Sequence, residues 1–109
     1  MDERAARIGK NEALFREVNE RVKNVNESFG ELPDAQFVCE CGDRGCFERV
    51  TVPLDEYERI RADPTTFFVK DGHQEADVES VVAAGEGYFV VRKHAGDPAT
   101  IAAETDPRS

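Results

Sequence analysis

The chain has 109 residues, with no tryptophan and a single methionine, and suits one domain or a small domain with appendages. Fourteen Lys+Arg against twenty-three Asp+Glu leave a net charge of −9. A sequence-independent grip on nucleic-acid phosphates needs the opposite sign. No stretch approaches the roughly 20 apolar residues of a membrane span.

The charge is unevenly placed. Residues 1–30 carry six basic and six acidic side chains, so the whole deficit lies in the remainder. The opening Met1-Asp2-Glu3-Arg4 is charged and has no hydrophobic signal segment, which leads to the expectation of a cytoplasmic protein with reduced thiols. Three cysteines cannot pair completely among themselves, which argues against a disulfide framework.

Residues 1–30 read as one long amphipathic helix. Ile8, Phe15, Val22 and Phe29 recur every seven positions, with Val18 and Val25 between them, so an a/d stripe is expected along one face. Glu12 with Arg16, Glu17 with Arg21 and Glu20 with Lys23 have the spacing of intrahelical ion pairs. Gly30 and Pro33 are stop signals. Two uses of the stripe follow: docking across its own chain, or pairing of the 8–29 face with a protein partner or a second copy in a homodimer. The e positions Glu12, Asn19 and Asn26 and the g positions Leu14, Arg21 and Ser28 offer little charge code for pairing.

Residues 31–94 read as a small α+β domain. Gln36–Glu40 predicts a strand, Gly42 and Gly45 a reversal, and Phe47–Val52 a returning strand. A short helix follows Pro53, with Leu54, Tyr57 and Ile60 inward, Arg59 and Arg61 in its last turn, and Asp63-Pro64 as its stop. Thr66–Lys70 predicts a third strand closed by Asp71-Gly72, and residues 78–93 a hairpin turning near Gly85-Glu86-Gly87. The polar, small-residue tail 95–109 is expected to be disordered or loosely docked.

All three cysteines fall within Cys39-Glu40-Cys41-Gly42-Asp43-Arg44-Gly45-Cys46. Clustered thiolates repel one another unless a cation gathers them, and Zn²⁺ accepts tetrahedral thiolate and imidazole ligands. Cys39, Cys41 and Cys46 are therefore candidate metal ligands. The glycines at 42 and 45 are expected to let the loop fold tightly and to aim amide N–H groups at the sulfurs. His73, after a strand and a turn, is the favoured fourth ligand. His94 competes, and Asp43 and Glu48 are nearer in sequence but are harder donors. A folded part of about 60 residues has a marginal apolar core and commonly uses a metal staple.

Cys39-x-Cys41 resembles the first half of a SWIM zinc motif, although no C-x-H follows. The three-cysteine, one-histidine set resembles CDGSH iron–sulfur proteins, although Lys70 in Lys70-Asp71-Gly72-His73 stands where that motif has a cysteine. A [2Fe–2S] cluster is thus the lesser alternative to zinc. Four segments carry a broader resemblance: Asn11-Glu12-Ala13-Leu14-Phe15-Arg16-Glu17-Val18-Asn19-Glu20-Arg21, Phe37-Val38-Cys39-Glu40-Cys41-Gly42, Glu56-Tyr57-Glu58-Arg59-Ile60-Arg61 and Gly72-His73. They resemble a group of small uncharacterised bacterial proteins typical of high-GC Gram-positive genomes. The resemblance implies that the cysteine loop and Gly72-His73 form one unit, and it implies no activity.

No nucleophile–base pair, phosphate loop or nucleotide fingerprint is present, and Asp55, Glu56 and Glu58 read as a solvated helix face. The expectation is a zinc-stabilised, non-catalytic interaction or regulatory module. Alternatives are a redox-responsive thiol/zinc switch and, below it, a zinc enzyme with Glu40 or Glu48 as base.

Overall fold

A computed structural model of the chain describes residues 3–28, 34–43, 45–46 and 48–108. The expected helix stop at Gly30 and Pro33, the stripe residue Phe29, and Phe47 lie outside the described residues. The elements run α1 (Glu3–Ser28), β1 (Asp34–Val38), β2 (Arg49–Pro53), α2 (Leu54–Arg61), β3 (Thr66–Lys70), β4 (Glu79–Gly85), β5 (Tyr88–Lys93) and α3 (Asp97–Glu104). The protein is α+β, a long N-terminal helix followed by two small antiparallel sheets and short helices.

β1 and β2 form a hairpin in which Ala35 faces Val52 and Phe37 faces Val50. β1 lies two residues earlier than expected, and its backbone continues past the strand: the Cys39 amide donates to Glu48 O at 3.0 Å. In β2, Val50 and Val52 point inward and Arg49, Thr51 and Pro53 outward, the alternation of a half-buried strand. The second sheet has the order β3-β5-β4. β4 and β5 turn tightly through Glu86-Gly87, where Gly87 takes φ +85°.

One aromatic cluster joins the sheets. Phe37 and Tyr57 stack with ring centroids 4.4 Å apart, and Phe68 meets both edge-on at 5.7 and 5.9 Å. Pro53 opens α2, and Tyr57 and Ile60 are its buried apolar residues. Arg61 is buried too, ion-paired with Asp106 and 3.6 Å from Glu20.

The a/d stripe is corrected by the way α1 docks. Ile8 is buried and Phe15 and Val22 are half-buried, but the d positions face water: Val18 is 38% and Val25 54% exposed. In their place the e-position Glu12 and Asn19 turn inward with Asn11 and Arg16. The inward series 8, 12, 15, 19, 22 follows 3.6 residues per turn, whereas a heptad drifts around the helix. Docking is therefore within the chain and largely polar.

The expected ion pairs divide accordingly. Arg21 and Glu17 pair at 3.5 Å, but Glu12 pairs with Lys93 instead of Arg16, and Lys23 reaches Glu27 and Glu58 instead of Glu20. Arg16 donates to Pro64 O at 2.7 Å and Ala102 O at 2.6 Å, with its guanidinium 4.4 Å from the Phe67 ring centroid. Ala102 belongs to α3, so the expectation of a disordered or loosely docked tail is corrected over Asp97–Glu104. Pro98 sits in the first turn, where its missing N–H costs nothing. Beyond α3, Arg108 bridges Glu20 and Glu58.

Candidate metal centre

The hairpin carries two candidate ligands on its outgoing backbone and one on its return. Cys39 and Cys41 alternate with Glu40, so the two thiols share one side of an extended segment and the carboxylate takes the other. The Asp43 side chain accepts from the Gly45 amide at 2.8 Å, and the Cys46 amide donates to Asp43 O at 3.0 Å. This Asx turn brings Cys46 back towards Cys39 and Cys41. The turn after β3 supplies the fourth group. Gly72 takes φ +91°, a left-handed conformation that suits glycine, and the His73 amide donates to Lys70 O at 2.9 Å. The turn folds His73 over the thiols.

The result is a cluster of four donor atoms, from Cys39, Cys41, Cys46 and His73, all within 4.8 Å of one another. The His73 Nδ1 lies 3.7 Å from Cys39 Sγ and 3.5 Å from Cys46 Sγ. No disulfide joins them. Such a Cys₃His group can hold a metal ion. Comparison with protein-family models, curated proteins and solved structures finds no match. The chemistry of the site is thus read from its own geometry.

His94, the competing ligand, lies outside the cluster, with Nε2 3.0 Å from Ser80 Oγ. Asp43 is occupied by its turn, and Glu48 pairs with Lys70 at 2.9 Å.

The backbone amide on the cluster comes from β3, not from Gly42 or Gly45: the Lys70 N–H donates to Cys39 Sγ at 3.1 Å and favours its thiolate. Within the cluster one thiol is favoured over the others. A hydrogen bond from Cys41, helped by the Lys70 amide, lowers the pKa of Cys39, and the same hydrogen bond raises that of Cys41. Burial raises Cys46. Cys39 and Cys41 are buried and Cys46 is half-exposed. Cys41 and His73 also line a shallow depression with Asp43, Gly72, Gln74 and Glu75.

The side of the loop that faces away from the thiols is held by α1. Asn19 Nδ2 donates to Val38 O and to Glu40 Oε2, both at 2.9 Å, and Asn19 Oδ1 accepts from the Val38 amide at 2.9 Å. Glu40 also accepts from the Phe68 amide at 3.3 Å, and its own amide donates to Phe68 O at 3.1 Å. Complete burial pushes the Glu40 carboxyl up to about 7 against these hydrogen bonds. Asn11 Nδ2 donates to Gly42 O at 2.8 Å, and a Cβ at Gly42 would come within 2.5 Å of Ile8 Cγ2. Sequence reasoning named neither Asn11 nor Asn19 as part of the site. The available signal was their place on the 3.6-residue face that begins at Ile8.

Proposed function

We propose that this protein is a small, non-catalytic interaction or regulatory module stabilised by one structural Zn²⁺ on Cys39, Cys41, Cys46 and His73. The observation that carries this reading is the spacing of the donors. Zn–S bonds of about 2.3 Å and Zn–N bonds of about 2.0–2.1 Å at tetrahedral angles set S···N edges near 3.6 Å. The two measured edges, 3.5 and 3.7 Å, bracket that value. The Lys70 N–H on Cys39 Sγ supports it, since it stabilises a thiolate as a cation does. A two-iron cluster divides its ligands between two metal atoms and spreads them further; a 4.8 Å span favours a single ion.

Four protein ligands leave zinc no open position for water, which disfavours catalysis at the metal. The carboxylates considered as bases support the same conclusion. Glu40 is held by Asn19 and the Phe68 amide, and Glu48 by Lys70. The interaction role rests on the outward strip of α1, where Leu14, Val18 and Val25 remain exposed to a protein partner or a second copy. A cytoplasmic setting belongs with this reading, because reducing conditions keep the thiols free to bind the ion.

Elemental analysis and the visible spectrum of purified protein test the proposal. The expected result is about one zinc per chain, a colourless solution, and a melting temperature that falls when a chelator strips the ion. Iron with visible absorption overturns it in favour of a cluster. Sedimentation of the full chain tests the second copy, and a monomer at all concentrations leaves only a different protein as the partner.

A redox-responsive form of the same site is favoured by one observation: Cys46 is half-exposed while Cys39 and Cys41 are buried. Peroxide reaching Cys46 is expected to release zinc. Unchanged zinc content after mild peroxide removes this second reading.

A further inference from the structure

Both ligand-bearing segments are also the seat of α1. Along residues 38–42 the cysteines at 39 and 41 turn to the cluster, and Val38, Glu40 and Gly42 are each held by the helix. Asn19 closes on both backbone groups of Val38 and on the Glu40 carboxylate, Asn11 binds Gly42 O, and Ile8 lies against Gly42. The histidine segment is held in the same way: Arg4 donates to Glu75 Oε2 at 2.8 Å and pairs with Asp77, just beyond His73. Asn11, Asn19 and Ile8 are buried in doing so.

We propose that metal occupancy controls the docking of the first half of α1. The inference rests on the Cys₃His site binding an ion and adds what the ion regulates. The bound ion fixes the backbone of residues 38–42 and 72–75 relative to each other, and so fixes the acceptors that Asn11, Asn19 and Arg4 need. Loss of the ion returns protons to the ligands and leaves the two segments free to separate, which breaks that alignment. The hydrogen bonds that dock α1 are directional, so a shift of about 1 Å in their acceptors removes most of their contribution. The pairing of β5 with β3 and β4 does not depend on the loop in this way. Coupling between two sites is reciprocal, so weakening the grip of α1 weakens metal binding.

Amide hydrogen exchange on the full chain, zinc-loaded and after chelator treatment, reads the first half of this statement. Amides of residues 4–20 are expected to exchange at least roughly tenfold faster without zinc, while those of β5 keep their protection. Equal protection of α1 in both forms overturns the inference, and so does a uniform loss across every element, which makes the ion a global staple. Zinc titration of Asn11→Ala reads the second half. Its affinity is expected to fall roughly tenfold, as for other partners of metal-bearing segments, with Arg21→Ala on the exposed face unchanged. Wild-type affinity in Asn11→Ala overturns the coupling. If wild type binds zinc stoichiometrically and these readouts do not move, only the coupling fails; if wild type binds no zinc, the proposed function fails with it.

Discussion

Gly42 answers to two neighbours at once. Its carbonyl oxygen accepts from Asn11, and its missing side chain leaves the space that Ile8 fills. Gly42→Ala puts a methyl group 2.5 Å from Ile8 Cγ2, too close for the helix to stay where it is. The expected loss is about 1–3 kcal/mol in urea denaturation. The variant is also expected to bind zinc more weakly, because the loop and the helix must move apart together.

Glu12 is the clearest buried charge. Lys93 Nζ pairs with Glu12 and with Glu79, the latter at 2.7 Å, and lies 5.6 Å from the Phe67 ring centroid. Burial, with Glu79 adding to it against the pull of Lys93, holds the Glu12 carboxyl well above its ordinary 4.5. A carboxyl raised on folding binds its proton more tightly in the native state. Its stabilising contribution is full below about 4.5 and is lost as pH rises towards the folded value. Glu20, Glu58, Asp63 and Asp106 are shifted down, so they are ionised in both states above pH 5 and add no slope there. Glu12→Gln cannot ionise and keeps Lys93 paired with Glu79. Its stability relative to wild type is expected to increase as pH rises above about 5, towards the raised folded-state pKa of Glu12, measured by urea denaturation as a function of pH. A pH-independent difference contradicts the assignment.

These residues also show what a sequence hides. Cys39, Cys41, Cys46 and His73 were legible because metal-ligand chemistry restricts the residue types that can serve. Asn11, Glu12, Arg16 and Asn19 were not, because each has the look of a surface residue until its partner is known, and those partners are backbone groups or side chains 19 to 86 positions away.

At the scale of elements, α1 is seated by hydrogen bonds and ion pairs where an a/d stripe of isoleucine, phenylalanine and valine was the simpler expectation. The exchange is specific in orientation: Arg16 satisfies Pro64 O and Ala102 O only when α1, α3 and the α2–β3 connection meet at one angle. Arg16→Met keeps an apolar stem over Phe67 but leaves both carbonyls without that donor. Its expected cost is roughly 3 kcal/mol in urea denaturation, well above that of a surface arginine such as Arg21. α2, β3 and the β4–β5 hairpin were legible because their punctuation is local: Pro53, Asp63-Pro64, Asp71-Gly72 and Gly85-Glu86-Gly87 each bound an element directly. α3 was not, since Ala99, Ala102 and Ala103 favour a helix only weakly against a polar, proline-containing background, and packing against α1 decides the outcome.

For the whole molecule, the exposed margin of the second sheet is β4. Residues 80–85, Ser-Val-Val-Ala-Ala-Gly, carry no charge and are all exposed, and among the described residues the strand pairs only with β5. Edge strands of this composition invite pairing with other chains. The register shift between Val81 and Ala83 is the one visible guard, because a bulge bends an edge away from flat pairing. A charge at Val82 reinforces it. Val82→Lys is expected to change stability by no more than about 0.5 kcal/mol and to slow the growth of turbidity on warming, with the folded spectrum unchanged.

The seat of Arg16 also has a meaning in time. Its acceptor in α3 lies 86 positions downstream, and a chain grows at roughly 5–20 residues per second, so translation separates the two groups by on the order of ten seconds. Through that interval the N-terminal helix has a guanidinium with no finished place to bury it. A nascent chain stalled before Ala102 should therefore leave α1 accessible to protease or chaperone, and release of the remaining residues should close it.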